Sequence, residues 1–296
     1  MPRRTELPPE LAARPFTVAE GAAQGVGRQR LRDPALSVPF RGVRSSAPPD
    51  GALEWCHAYV PRLAPGQVFS HDSAALLYGL PLPRRFEQSR AVHVSAVEPA
   101  HPPQARGVTG HRLASGTPVR SFRGLPLVHP VLAWSQLAGS LGHDDLVVAG
   151  DFLVRRKGAL SSLAEMRDYA ASSRARGIRA LRAALVEVRE RTDSPMETRT
   201  RLVLVRGGLP EPVVGYAVKN KWGDFVATPD LAYVEQRVAI EYQGSPHWTN
   251  PRVFAEDITR REALAAAGWV VIEVIAEHLG LRAPILISRV REALER

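Results

Sequence analysis

Cysteine is almost absent from this chain of 296 residues, with Cys56 as its single representative. One thiol excludes a disulfide framework and a zinc site built from cysteines, and it is typical of the reducing cytoplasm. Lysine is scarce too, since arginine supplies all but three of the 39 basic residues. No apolar run approaches the roughly 18 residues of a membrane-spanning helix, and the opening MPRRTELPPE lacks the apolar segment of a signal peptide. We therefore expect a soluble, cytoplasmic protein of about two domains with no membrane partner.

Positive charge is distributed unevenly along the sequence. Residues 193–296 include 13 basic and 14 acidic residues, which leaves 26 of the 39 basic and 16 of the 30 acidic residues to positions 1–192. The resulting N-terminal excess of positive charge favours contact with a polyanion, and the phosphate backbone of DNA is the commonest one. The alternative is compositional, because a GC-rich genome places arginine on any protein surface.

The first fifty residues have the pattern of a helix-turn-helix. Thr17 and Glu20 form a capping box at the start of one helix, which a Gly-Val-Gly run ends. A second short helix follows, and its candidate DNA contacts are Arg28, Arg30 and Arg32. Residues 1–50 are thus predicted to be a winged helix-turn-helix, with residues 42–50 as its wing or as a linker. A small helical hairpin of another function fits the same pattern.

Residues 51–192 alternate helices with short strands, which predicts a small α/β domain. Its last part, residues 160–191, combines apolar residues at three- and four-residue spacing with many arginines, as in one or two basic amphipathic helices. Such helices either contact a DNA backbone or present a solvated face. Six of the histidines in this domain are dispersed along the sequence and are interpreted as surface or core residues rather than metal ligands: His71, His93, His101, His111, His129 and His143.

The most specific pattern lies in residues 193–296. The predicted order is a helix that contains Glu197, three strands over residues 212–218, 225–234 and 237–242, a helix over about 251–267 and a last strand over 269–275. Asp230 near the start of one strand and Glu241 near the end of the next are separated by the span of a hairpin, which brings both to one end of a sheet. Neighbouring carboxylates repel one another unless a divalent cation neutralises them, and oxygen ligands suit Mg²⁺. A cation held there can polarise a phosphodiester and activate a water molecule.

The residues of this segment resemble the PD-(D/E)XK nucleases. Pro229-Asp230 and Glu241-Tyr242-Gln243 match the signature, with Gln243 at the position where lysine is usual. Over about residues 193–280 the sequence is similar to the Vsr-like branch, the very-short-patch-repair endonucleases, and to small endonuclease-like domains of actinobacterial proteins. The further elements of this likeness are His247, Trp248, Phe254, Asp257, Arg260, Arg261, Leu264 and the run Gly268-Trp269-Val270-Val271. The resemblance implies an αβββαβ core that cleaves DNA with Mg²⁺, or with Mn²⁺ in its place.

The resemblance also implies a role for each residue of the signature. The implied catalytic residues are Glu197, Asp230, Glu241, Gln243 and His247. Asp230 and Glu241 would bind the metal ion, with the helix acid as support. Gln243 would position the attacking water, with a donor but without the charge of a lysine, and His247 would act as general base. Arg261, in the helix motif, is the candidate DNA contact of this segment.

The N-terminal half is similar to AbiEi-type antitoxins and transcriptional regulators, in which a winged helix-turn-helix precedes a small α/β domain. The segments that carry this likeness are FTVAEGAAQGVGRQRL, SHDSAALLYGL and LVVAGDFLVRRK. Two functions follow from the two likenesses. One is a Mg²⁺-dependent DNA endonuclease of repair or defence, whose basic N-terminal part docks DNA. The other is a non-catalytic DNA-binding regulator of antitoxin type, with an inactive nuclease fold.

Overall fold

The computed structural model describes residues 6–244 and 251–296, and the side chains of all of these except residues 251–257. The chain divides into two compact units, here named the N-terminal unit (Met1–Leu141 with Ser173–Ile178) and the C-terminal unit (Gly142–Ser172 with Arg179–Arg296). Helices and sheets occur in both units, which confirms the predicted α/β class. The finer division of the chain at residues 50 and 192 stays a prediction. No helix in the described part of the chain is long and apolar enough to cross a membrane.

The N-terminal unit is built from short elements. In chain order they are α1 (Pro9–Ala12), β1 (Phe16–Thr17), α2 (Val18–Ala23), α3 (Arg28–Leu31), β2 (Val43–Arg44), α4 (Gly51–Tyr59), β3 (Gln67–Phe69), α5 (His71–Tyr78), α6 (Arg84–Glu87), β4 (Val92–Val97), β5 (Val108–Leu113), β6 (Val119–Phe122), β7 (Leu125–Val128) and α7 (Pro130–Gln136).

Five of these strands form a mixed sheet in the order β5-β4-β3-β7-β6. Strand β4 runs parallel to β5 and antiparallel to β3, while β7 runs parallel to β3 and antiparallel to β6. Helix α5 packs on α7 and on β4. At the end of α5 the Tyr78 hydroxyl donates a hydrogen bond to the Val128 carbonyl oxygen of β7 at 2.9 Å. This buried bond fixes the helix to the sheet.

The predicted first helix of the helix-turn-helix is confirmed as α2. The Glu20 N–H donates to Thr17 Oγ1 at 3.0 Å, and the Thr17 N–H donates to the Glu20 carboxylate at 3.4 Å, which is the predicted capping box. The second helix begins at Arg28 as predicted, but it is a single turn. It ends before Asp33-Pro34 because a proline disfavours helical backbone in the residue that precedes it. The two helices share a small core of Leu11, Phe16, Val26 and Leu31.

The C-terminal unit contains longer helices around a second sheet. In chain order its elements are α8 (His143–Leu153), α9 (Leu163–Ser172), α10 (Ile178–Glu187), α11 (Pro195–Arg206), β8 (Val213–Val214), β9 (Val218–Lys219), β10 (Phe225–Ala227), β11 (Leu231–Tyr233), β12 (Val238–Tyr242), α12 (Pro251–Ala266), β13 (Val270–Val274) and α13 (Ala283–Leu294).

Four strands of the C-terminal unit form a sheet in the order β13-β12-β11-β8. Strands β12 and β13 are parallel, as a connection through α12 requires, and the other neighbours are antiparallel. Alternate residues of each strand face opposite sides. One face packs its leucine, isoleucine and valine side chains on α11 and α13, and the other face packs Ala232 and Ala239 beside Leu264 of α12.

Two of the predicted strands are broken in the structure. The strand predicted over 212–218 is divided into β8 and β9 around Gly215, whose φ of 61° is left-handed. The strand predicted over 225–234 is divided into β10 and β11 around Pro229-Asp230, because proline has no N–H to give to a ladder. Strands β9 and β10 pair with each other in a separate two-stranded sheet. The remaining predicted strands are β12 and β13, and the basic segment 160–191 forms α9 and α10.

Candidate functional site

The two acids of the predicted hairpin are brought together by strand register. Leu231 of β11 lies opposite Ile240 of β12, and the pair that continues this antiparallel register is Asp230 and Glu241. The Tyr242 N–H donates to Asp230 Oδ2 at 2.8 Å, which holds the aspartate side chain against the end of β12. Glu241 itself is buried, with only 1% of its surface exposed. Both carboxylates therefore lie at one end of the sheet, as predicted.

Polar side chains from β12, β13 and α12 continue this site on the sheet face that α12 covers. Glu241 accepts from Arg260 Nη2 of α12 at 3.1 Å through Oε2. Glu273 is the register partner of Glu241 on β13, and it accepts from Arg261 of α12. Gln243 Nε2 donates to Glu273 Oε1 at 3.4 Å. The alternating arrangement of a strand thus puts Glu241 and Gln243 on the same face.

Glu197 belongs to the first turn of α11. Its N–H donates to the oxygen of the N-cap residue Ser194 at 3.2 Å, and its own Oε2 accepts from the Asp193 N–H at 2.9 Å. Burial raises the pKa of the Glu197 carboxyl to about 7, and the nearby carboxylate of Asp230 contributes to the rise. The helix acid therefore shares the electrostatic environment of the sheet acids.

Burial and the nearby positive charges have opposite effects on the protonation of Asp230. Burial raises the pKa of Asp230 above its ordinary value, while the Tyr242 N–H and the guanidinium groups of Arg260 and Arg156 act in the opposite direction. Arg156 also forms an ion pair with Asp193, next to the start of α11. The ionised form of Asp230 is thus disfavoured by burial and favoured by the two nearby arginines.

The raised pKa of Glu197 makes a prediction for stability. Because its folded-state pKa of about 7 exceeds the ordinary 4.5, the folded chain binds the extra proton between these values. The contribution of this group to the free energy of unfolding is therefore complete below pH 4.5 and is lost as the pH rises through 7. In EDTA, we expect the urea midpoint of the wild type to fall between pH 5 and pH 8 more steeply than that of Glu197→Gln. Equal slopes for the two proteins would assign the titration to another group.

The remaining predicted site residues differ in where they lie in the structure. His247 lies outside the described residues, as does Trp248. Arg28 and Arg32 are exposed on and after the single turn of α3, whereas Arg30 is half-buried and its Nη1 donates to Asp33 Oδ2 at 2.7 Å. Arg261 is half-buried beside Glu273. Their DNA contacts stay a prediction.

A second cluster was missed from the sequence. Three of the histidines that are dispersed along the sequence lie together in the structure, since nitrogen atoms of His71, His93 and His111 all lie within 4.8 Å of one another. The ring centroids of His71 and His111 are 3.8 Å apart, and those of His93 and His111 are 5.2 Å apart. The sequence indicates only that each of these histidines lies in a different helix or strand of the predicted α/β domain. Spacing along the chain gives no indication that these elements are neighbours.

Comparison with known proteins finds few relatives. No family model matches the sequence. Two proteins of Mycobacterium tuberculosis are similar to it, the uncharacterized protein MT2308 of strain CDC 1551 / Oshkosh and the uncharacterized protein Rv2248 of strain ATCC 25618 / H37Rv. Each is 30% identical over 121 residues, or 41% of this chain and 44% of the relative, so the match spans less than half of either protein. The crystal structure of the RV2827C protein of Mycobacterium tuberculosis has a TM-score of 0.38 at 17% identity, over 71% of this chain and 86% of that one.

Proposed function

We propose that the C-terminal unit is a Mg²⁺-dependent DNA endonuclease of the PD-(D/E)XK type. The observation that carries the proposal is the register of β11 and β12, which sets Asp230 opposite Glu241 at one end of a sheet. Asp230 lies close enough to Glu197 to raise the pKa of the Glu197 carboxyl. The order of helix, strands, helix and strand agrees with the αβββαβ core that the sequence resemblance implies.

The donor set of this site fits a hard divalent cation. Carboxylate oxygens are the ligands that Mg²⁺ takes from proteins, usually one or two carboxylates with water in the other positions. Burial raises the pKa values of Glu197 and Asp230, so their ionised carboxylates are held here at a cost in desolvation that a bound cation would offset. Asp230 and Glu241 would hold the ion, and a bound Mg²⁺ supplies Lewis-acid activation of a phosphodiester and of water.

The other residues of the site position and balance the reacting groups. Gln243 lies on the same strand face as Glu241 and offers an amide N–H donor where the signature has lysine. One N–H of this amide contacts Glu273 Oε1 at 3.4 Å, and the other would serve the attacking water. The basic excess of residues 1–192 supplies the attraction to DNA phosphates in this proposal.

A non-catalytic DNA-binding regulator is the second candidate. The observation in its favour is the ion pair of Arg260 and Glu241, because an arginine neutralises the buried acid without any metal ion. In that case Asp230 and Glu241 stabilise the fold, and the arginines of the basic N-terminal part bind DNA. Its affinity for DNA would depend on salt and not on Mg²⁺.

A cleavage assay on the full chain tests the proposal. Supercoiled, linear and single-stranded DNA are incubated with Mg²⁺, with Mn²⁺ or with EDTA. We expect metal-dependent cleavage that falls about 100-fold in Asp230→Asn, because the amide keeps one neutral oxygen ligand but loses the charge that stabilises a divalent ion. Asp224→Asn is the matched control, since this exposed aspartate of the same unit lies outside the site.

Three results distinguish the two candidates. Cleavage that requires metal and Asp230, with Asp224→Asn unchanged, supports the endonuclease. Absence of cleavage of every DNA form with either metal overturns it. Salt-dependent DNA binding that is equal in EDTA and in Mg²⁺, together with that absence, supports the regulator.

A further inference from the structure

We propose that His71, His93 and His111 form a binding site for a first-row transition metal ion, Zn²⁺ foremost, in the N-terminal unit. One nitrogen from each ring can be chosen so that all three lie within 4.8 Å of one another. Zinc–nitrogen bonds are about 2.0–2.1 Å long and lie in the plane of each imidazole, so the stacked rings have to turn their nitrogen edges towards one ion, which the short separation of these nitrogens allows. All three histidines are half-buried, which partly shields the cluster from bulk water.

The fold brings the three histidines together by backbone pairing. On the parallel strands β4 and β5, His93 lies opposite Thr109 and His111 is two residues further, so both histidines are on the same face of the sheet. Helix α5 starts directly over them. The Ser70 N–H donates to the His93 carbonyl oxygen at 3.1 Å, and the His93 N–H donates to Ser73 Oγ at 2.8 Å. These bonds set the first turn of α5, with His71, against β4.

The backbone of His71 is held in an unfavourable conformation. Its φ is 52°, in the left-handed region that residues with a Cβ adopt rarely. The His71 N–H donates to Gln136 Oε1 of α7 at 2.8 Å, a contact that keeps the turn in place. Residues held in such conformations concentrate at ligand sites, where the surrounding structure compensates for the strain. This conformation is a second indication that the ring of His71 is positioned for a ligand.

Asp72 contacts the ring nitrogen of His93 that does not contact His111. Its Oδ1 lies 3.2 Å from His93 Nε2 and is placed to accept a hydrogen bond from an N–H at that nitrogen. The tautomer so fixed leaves a lone pair on His93 Nδ1, which faces His111 Nε2 at 3.0 Å. A carboxylate that orients a histidine through its second nitrogen is the usual support of a histidine-bound metal. The contact between His93 Nδ1 and His111 Nε2 thus brings two candidate ligand atoms next to each other.

The chemistry of the cluster selects the ion. Imidazole nitrogen suits Zn²⁺, Cu²⁺, Fe²⁺ and Ni²⁺, whereas Mg²⁺ prefers oxygen ligands. Three histidines leave one position of a tetrahedral zinc ion for water or another ligand. The site joins α5, β4 and the edge strand β5, so metal binding also stabilises the N-terminal unit against unfolding. It is distinct in residues and in ligand type from the carboxylates of the C-terminal unit.

Metal titration of the full chain tests the site. The protein is stripped with EDTA, exchanged into chelator-free buffer and titrated with Co²⁺, whose visible bands report tetrahedral coordination, and with Zn²⁺ against a coloured chelator. We expect one Zn²⁺ per chain and an affinity about 100-fold weaker or more in His93→Gln and in His111→Gln. Asp72→Asn is expected to weaken binding about 10- to 100-fold. His101→Gln, an exposed histidine of the same unit, is the matched control and should bind as the wild type does.

Measurements on the wild-type protein test the site even if a histidine variant fails to fold. Zinc X-ray absorption on the wild type should show imidazole ligands, and Zn²⁺ should raise the thermal midpoint of the wild type in a manner that EDTA reverses. Asp230→Asn should retain zinc binding, so the result is independent of any nuclease activity. The site is refuted by the absence of stoichiometric Zn²⁺ or Co²⁺ binding, or by binding that survives both histidine substitutions in folded protein.

Discussion

Glu241→Ala is expected to reduce Mg²⁺-dependent DNA cleavage by about 10³-fold, since a metal ion that acts as Lewis acid supplies several kcal/mol of transition-state stabilisation and each 1.36 kcal/mol is a factor of ten. Alanine removes both carboxylate oxygens and the charge of a residue that is 1% exposed at the end of β12. Glu241→Gln keeps one neutral oxygen and should lose roughly 100-fold. A graded loss in kcat/KM from glutamate to glutamine to alanine is the signature of a ligand whose charge matters.

The ion pair with Arg260 supplies a matched control for this substitution. Glu241→Ala and Arg260→Gln both break the contact between Arg260 Nη2 and Glu241 Oε2, but only the first removes the proposed metal ligand. We therefore expect Arg260→Gln to retain cleavage and to need less Mg²⁺ for half-maximal rate, because a cation that competes for the same carboxylate is gone. Urea unfolding of both variants measures the cost of the broken pair. Equal loss of activity in the two variants would assign Glu241 a structural role.

The sequence predicts those features whose partners are close along the chain. The capping box of Thr17 and Glu20 is recognisable because its two residues are three positions apart. The approach of Asp230 to Glu241 is predictable because a hairpin of this length has few registers that keep Leu231 and Ile240 on the buried face. Local chemistry and alternation of apolar residues suffice for both.

Contacts between distant elements were not predictable in the same way. His71, His93 and His111 meet because β4 and β5 are parallel and because the turn before α5 takes a left-handed residue. Neither the register of a parallel pair nor a positive φ at a histidine is encoded in local spacing. The ion pair of Arg260 with Glu241 depends on which face of the sheet α12 covers, which is decided by packing of the whole unit.

Packing between distant elements also buries an ion pair in the C-terminal unit, which bears on the free energy of unfolding. Asp151 of α8 is fully buried, and its Oδ2 accepts from Arg201 Nη2 of α11 at 3.0 Å and from the Thr198 hydroxyl at 2.8 Å. Its Oδ1 accepts from the Arg189 N–H at 2.7 Å. Arg201 is as deeply buried, and its Nη1 donates to Glu211 at 2.9 Å. The negative charge of Asp151 therefore neutralises the guanidinium of Arg201, which is buried away from water.

Asp151→Ala is expected to lower the free energy of unfolding by about 3–5 kcal/mol, because it leaves the charge of Arg201 buried without its main partner. Urea denaturation followed by circular dichroism measures the loss, and hydrogen exchange should place the weakened amides in α8 and α11. Asp144→Ala removes an ion pair of the same helix that is largely exposed, so its cost should stay below about 1 kcal/mol. The double variant Asp151→Leu/Arg201→Met should regain most of the loss, since an apolar pair of similar volume carries no desolvation cost. If the double variant is no more stable than Asp151→Ala, the damage comes from lost packing or from the lost hydrogen bonds of Thr198 and Arg189, and the buried charge is not its cause.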